Sequence, residues 1–219
     1  VAHELGHMAR GRTLAANWIF VLRETWGQLH RSLQDGYPWA KQWLAGFVSR
    51  YEHYFNAYTR ALARQHEFCA DQAAVRVVGK SVAADAIVAV RLKSRYLSEY
   101  YWPKLMLKAD NQPRPACLPY SNMRLALSLG FAEAPGEQWL EGALAEVSVA
   151  GDDHPSLRDR LEQIGCFPRL PKPFRLSAAQ VLLGSHLNTV SNQLDKNWQR
   201  DIQPEWEQRH RHVYNARKQ

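Results

Sequence analysis

Leu22, Trp26, Leu29 and Leu33 recur at steps of four, three and four, the apolar stripe of an amphipathic helix, and predict one from about Thr13 to Leu33. Asp35-Gly36-Tyr37-Pro38 breaks it. A second long helix is predicted from Trp39, with Trp43, Phe47, Tyr51, Tyr54, Tyr58 and Leu62 along one side, and it leads into a strongly helical stretch from Tyr58 to Val78. Gly79-Lys80-Ser81 ends that stretch and starts another helix, with Ser81 in the N-cap position, running through Ala84, Ile87, Val88, Val90, Leu92 and Tyr96 to Trp102-Pro103. Pro113, Pro115 and Pro119 punctuate a loop, and shorter helices follow over Asn122 to Leu129 and Gly136 to Val149. The run from Phe167 to Phe174 carries three prolines and reads as an extended linker. Ser177 to Asn197 is helical again, and Trp198 to Gln219 is a polar tail holding Trp206. The expected fold class is all-α.

Composition supports a folded piece, since 46% of 219 residues are hydrophobic and a chain of that length can enclose a sizeable core. The default organisation is residues 1–166 as one domain, 167–176 as a Pro-rich linker and 177–219 as a helical tail. The longest apolar run among the candidates is Trp18-Ile19-Phe20-Val21-Leu22, far short of the roughly eighteen residues a spanning helix needs, so any membrane anchor is expected outside this sequence. Cys69, Cys117 and Cys166 are odd in number and widely spaced, with no CxxC pair, and read as reduced thiols that ligate nothing. The net charge of +7, with bases gathered in Arg91 to Lys108 and Arg200 to Lys218, suits a negative membrane leaflet or an anionic polymer. It raises a competing class, a non-catalytic basic helical module acting as scaffold, chaperone, membrane-surface or nucleic-acid binder. No nucleic-acid fold signature accompanies the charge, and nucleic acid is not the expected partner.

The chemistry is concentrated in His3-Glu4-Leu5-Gly6-His7. On a helix, positions i and i+4 share a face, so His3 and His7 can aim ring nitrogens at one ion at about 2.0 Å. Glu4, offset by one residue, reaches the fourth coordination position, where an activated water sits, and is the natural general base. A catalytic zinc needs a third protein ligand from another element. Glu67-Phe68-Cys69-Ala70-Asp71 offers it: Glu67 and Asp71 are again i and i+4, with Glu67 as third ligand and Asp71 as the carboxylate that accepts the far ring N–H of a ligating histidine. Cys69 turns away from that face and reads as packing. The remaining histidines, His30, His53, His66, His186, His210 and His212, lack ligand spacing and read as surface or packed groups.

HELGH followed some sixty residues on by an E-x-x-A-D helix resembles the gluzincin metallopeptidases that include the HtpX heat-shock protease and the CAAX prenyl endopeptidase. Asp153-His154-Pro155-Ser156-Leu157-Arg158-Asp159-Arg160 is similar to that family's His-Pro segment, and the resemblance spans residues 1 to about 165. It implies a zinc metalloendopeptidase acting on peptide or protein substrates, with Zn2+ on His3, His7 and Glu67 and with Glu4 as base. His154 would lie near the metal as a removable fourth ligand or as a donor to the oxyanion, and Arg160 would position that segment or the substrate. Read from the residues alone, His154-Pro155 is equally the start of a helix, with Asp153 as N-cap and Pro155 at the first helical position. Family members carry membrane-spanning helices and a small sheet before the HELGH helix. A chain opening at Val1 is therefore expected to be a poorly active, soluble piece of a cell-membrane protein, this domain facing the cytoplasm.

Overall fold

The computed structural model describes residues 1–8, 61–148, 154–172 and 176–218. The helices expected over Thr13 to Leu33 and from Trp39 to Tyr58, and the turn between them, lie outside the described residues, as do His30 and His53. Among the described residues every regular element is helical, and the chain is all-α. None of these helices is long and apolar enough to cross a membrane. The chain divides into two compact units, one of Val1–Val88 with Glu141–Arg169 and one of Ala89–Leu140 with Leu170–Gln219.

In the first unit, α1 spans Ala2–Met8 and α2 runs over 61–78. Gly79 takes φ 83°, the left-handed value that glycine reaches without a Cβ clash, and ends α2 there. Its N–H donates to the Val75 carbonyl (2.8 Å) while its own carbonyl accepts from Ala83 (3.1 Å), so α3, Lys80–Tyr96, starts at once. Ser81 consequently lies inside the first turn and does not cap it. Its hydroxyl accepts from Arg169, whose guanidinium also grips Asp85 through two bonds of 2.9 and 2.8 Å. After α6, Gly136–Ala145, the chain reaches α7, Leu157–Ile164. Ser156 is the N-cap of α7 and accepts from the Asp159 N–H (3.2 Å), so Pro155 precedes the helix and does not open it. Gly165, at φ 70°, closes it. Ala70, Ala74, Ala83, Ala84, Val88, Ala143, Leu157, Leu161 and Ile164 are the buried apolar residues that make this unit's core among the described residues.

In the second unit, the chain past α3 passes through a wide π-type turn over Leu97–Tyr101 into α4, Trp102–Met106. The next helix, α5, covers Pro119–Leu125 and so begins earlier than Asn122. Proline at the first helical position has no N–H to leave unmatched, and its fixed φ suits the turn. The following two N–H groups, of Tyr120 and Ser121, donate to the Asp195 carboxylate at 2.7 and 3.2 Å, and the Ser121 hydroxyl donates to it at 2.5 Å. Asp195 is buried and comes from the C-terminal helix, so one helix caps another. Asp195→Ala is expected to cost about 2 kcal/mol by orphaning these donors, read as a lower denaturation midpoint at unchanged m-value.

The C-terminal region departs from its expected outline. Ser177 forms a capping box with Gln180 and opens a short helix, α8, Ala178–Leu183. Gly184 (φ 50°) ends it, and α9 then runs unbroken over Leu187–Ala216, through Pro204. The supposed polar tail is therefore helix, and Trp206 is fully buried. It packs with Tyr101, Leu105, Ala109 and Cys117, its indole N–H donating to the Gln112 carbonyl at 2.7 Å, with Trp198 and Ile202 alongside. His210 donates from Nδ1 to the Ala109 carbonyl (2.8 Å), a packed histidine as expected. Arg209 pairs with Asp110 at 2.7 Å.

Candidate metal centre

His3 and His7 share one face of α1, their rings edge to face with centroids 4.8 Å apart and their Nε2 atoms 3.2 Å apart. Glu67 meets them from α2: Oε2 lies 3.4 Å from His3 Nε2 and Oε1 lies 3.5 Å from His7 Nε2. One ligand atom from each of these three residues falls within 4.8 Å of the others, a group that could hold a metal ion. Two imidazoles and a carboxylate from two elements are a donor set that hydrolytic zinc accepts, so the residues present fit the group their spacing suggests.

Asp71 stands behind the cluster. It is 0% exposed, and Oδ1 lies 2.9 Å from His3 Nδ1, the ring nitrogen turned away from Glu67. This is a close ionic contact without the angle of a completed hydrogen bond, which leaves the buried Nδ1 dependent on Asp71 for its compensation. Arg160 reaches the same carboxylate from α7 in a bidentate pair, Nε to Oδ2 at 2.8 Å and Nη2 to Oδ1 at 2.6 Å, and lies 3.8 Å from Glu67 Oε2. Residues 3, 71 and 160, far apart in sequence, thus form one chain of charge with the buried Asp71 at its centre.

The charges set one another's proton affinity. Asp71 and then Glu67 raise His3 to about 9, against the opposing pull of burial. Burial pushes the Glu67 carboxyl up, but the His3 hydrogen bond and the Arg160 and His3 charges outweigh it and hold Glu67 below its ordinary value. Asp71 is likewise lowered, burial being overcome by the Arg160 bonds and the close His3 contact. Arg160 is raised despite its burial, chiefly by Asp71.

His154 is 76% exposed on the segment before α7, with Nδ1 3.4 Å from Glu67 Oε1. The structure therefore brings together His3, His7, Glu67, Asp71, His154 and Arg160. Glu4 is exposed on α1, one residue from His3, and makes no hydrogen bond among the described residues; its charge reaches as far as Arg160. What sequence reasoning missed is the support under His154. Asp159 accepts from Arg64 of α2 (3.4 Å) and from Ser148. The Ser156-x-x-Asp159 spacing of a capped first turn was the available signal.

Gly6 explains how α1 comes so near α2. A Cβ built there would sit 2.9 Å from Ala73 Cβ and 3.1 Å from the Ala70 Cα, too close for carbon. Because one contact is to backbone, the helices must separate if Gly6 gains a methyl group. Gly6→Ala is therefore expected to draw His3 and His7 away from Glu67 and weaken metal affinity at least tenfold, measured by competition with a chromogenic chelator; unchanged affinity would show that the close approach is dispensable.

A family model described as Peptidase family M48 matches residues 1–165. No curated protein matches the chain, and no solved structure does.

Proposed function

The chain belongs to peptidase family M48 and is a metallopeptidase, and from that premise we propose that it is a zinc endopeptidase with His3, His7 and Glu67 as ligands and Glu4 as general base. The observation that carries the reading is the convergence of three ligand atoms from α1 and α2 within 4.8 Å, with Asp71 buried behind one of them. When bound, zinc supplies Lewis-acid activation of a water and polarisation of the scissile carbonyl.

The rest belongs to the chain's own side chains. Asp71 holds Nδ1 of His3 and so turns Nε2 toward Glu67 and His7. Arg160 occupies the other side of Asp71 and keeps that carboxylate ionised and in place. Glu4, free of other hydrogen bonds among the described residues, takes the proton of the attacking water on its carboxylate and passes it to the departing amine nitrogen. His154, close to Glu67 and open to solvent, donates to the carbonyl oxygen as negative charge gathers there. The substrate is a peptide or protein, as for any peptidase.

Stripping the protein with a chelator and returning one equivalent of zinc tests this reading. Hydrolysis of a quenched fluorescent peptide library should vanish and return, with about one zinc per chain by elemental analysis. Hydrolysis that survives chelation, or a protein that takes up no zinc, overturns it.

A further inference from the structure

Ser156, two residues after His154, belongs to a small closed circuit. Ser148, just beyond α6, donates from its hydroxyl to Asp159 Oδ2 at 2.5 Å and accepts at the same oxygen from the Ser156 N–H at 2.7 Å. Ser156 in turn accepts from the Asp159 N–H at 3.2 Å. Each of the three residues thus bonds the other two, and Ser148 is tied directly to Ser156. Arg64 Nη2, 3.4 Å from the same Asp159 Oδ2, anchors the circuit to α2 three residues before Glu67. Asp159 is followed directly by Arg160, so adjacent residues of α7 fix the two halves of the site: Asp159 the His154 segment, Arg160 the Asp71–His3 pair.

We propose that Ser148, Ser156 and Asp159 form a clasp that positions His154 against Glu67, which makes Ser148 a positioning residue for turnover although it touches neither ligand nor substrate. The His154 side chain is largely exposed, and its contact with Glu67 at 3.4 Å is the one ionic contact it makes among the described residues. Without the Ser148 hydroxyl, Asp159 loses its shortest donor and the N–H of Ser156, two residues after His154, loses its acceptor, so the backbone that follows the imidazole is released. Such a displacement leaves the ligand cluster alone, because His3, His7, Glu67 and Asp71 are held from α1, α2 and Arg160. The inference rests on the catalytic part given to His154 under the zinc-peptidase reading.

The experiment is a cycle of Ser148→Ala, His154→Ala and the double variant, each assayed for kcat, KM and zinc content, with Ser148→Thr as the conservative control. Ser148→Ala should lower kcat by about tenfold or more at near-normal KM and zinc, since small misplacements of a reacting group are costly. Ser148→Thr should restore it. In the His154→Ala background the same change should do almost nothing, the non-additivity expected of residues acting as a unit. A parallel measurement needs no turnover: in metal-free protein, the His154 ring resonances should shift and narrow in Ser148→Ala as the side chain gains freedom, while those of His186 stay put. Should Ser148→Ala not fold, Asp159→Asn is read in the same way. Wild-type kcat in Ser148→Ala, losses that simply multiply in the double variant, zinc loss from Ser148→Ala, or an unmoved His154 signal each overturn the clasp. A wild-type protein with no metal-dependent hydrolysis overturns the peptidase mechanism instead, and the resonance measurement then still decides whether Ser148 holds His154.

Discussion

Glu4→Gln is expected to cut peptide hydrolysis by about 100- to 10,000-fold while leaving zinc content and unfolding temperature at their wild-type values, the range that removal of a general base produces. The exchange keeps the size and shape of the side chain and removes only its basicity. An amide cannot take a proton from water near neutral pH, and it cannot return one to the departing amine. Structural side effects should be small, because Glu4 is exposed and tied to nothing among the described residues. The readout is kcat on a fluorogenic peptide, with elemental analysis and a circular-dichroism melt on the same sample. Full activity in Glu4→Gln would remove Glu4 from the mechanism and send the search for the base to another carboxylate.

Glu67→Ala should do something different in kind: empty the protein of metal. Zinc is expected to fall from about one per chain to a trace, an affinity loss well beyond the roughly 100-fold seen when merely supporting residues are changed. The reason is partly the lost ligand and partly the charge it leaves behind. His3 and His7 bring their Nε2 atoms within 3.2 Å, with Arg160 close by, and Glu67 is the carboxylate that faces all three. Without it, the imidazoles sit against a guanidinium with Asp71 as the one carboxylate in contact among the described residues, so the metal-free cluster should also open and Glu67→Ala should melt earlier than wild type. Equilibrium dialysis against zinc at micromolar concentration gives the first quantity and a thermal melt the second. Zinc retained at wild-type stoichiometry would show that a different third ligand holds the ion.

What could be read from the sequence was local. Two residues four apart on a helix share a face whatever the rest of the chain does, so the His3–His7 and Glu67–Asp71 pairs were visible as pairs, and Gly79 was visible as the end of α2. The all-α class was equally legible, from apolar residues at steps of three and four. The parts that escaped depend on distant residues. Asp153 and Ser156 are both good cap residues, and Pro155 is compatible with either choice; the choice falls to Ser156, whose N–H and side chain are engaged by Ser148 and Asp159. Nothing near Pro119 announces that its helix is capped by Asp195, more than seventy residues away. The C-terminal helix hid differently. Trp198, Ile202, Trp206 and His210 recur at steps of four and mark its buried side, but the Arg and His residues around Trp206 made the stretch read as a polar tail. The Asp71–Arg160 pair spans 89 positions, and no periodicity reports it; only the family resemblance pointed to Arg160.

The charge chain through Asp71 also fixes which parts of the first unit depend on one another. Asp71 of α2 faces His3 of α1 on one side and Arg160 of α7 on the other, and Glu67 faces the same two residues, so each carboxylate has a basic partner on two sides within 4 Å. Three helices far apart in sequence are thereby tied at one pair of carboxylates, and a change at any of the four groups is felt on all three.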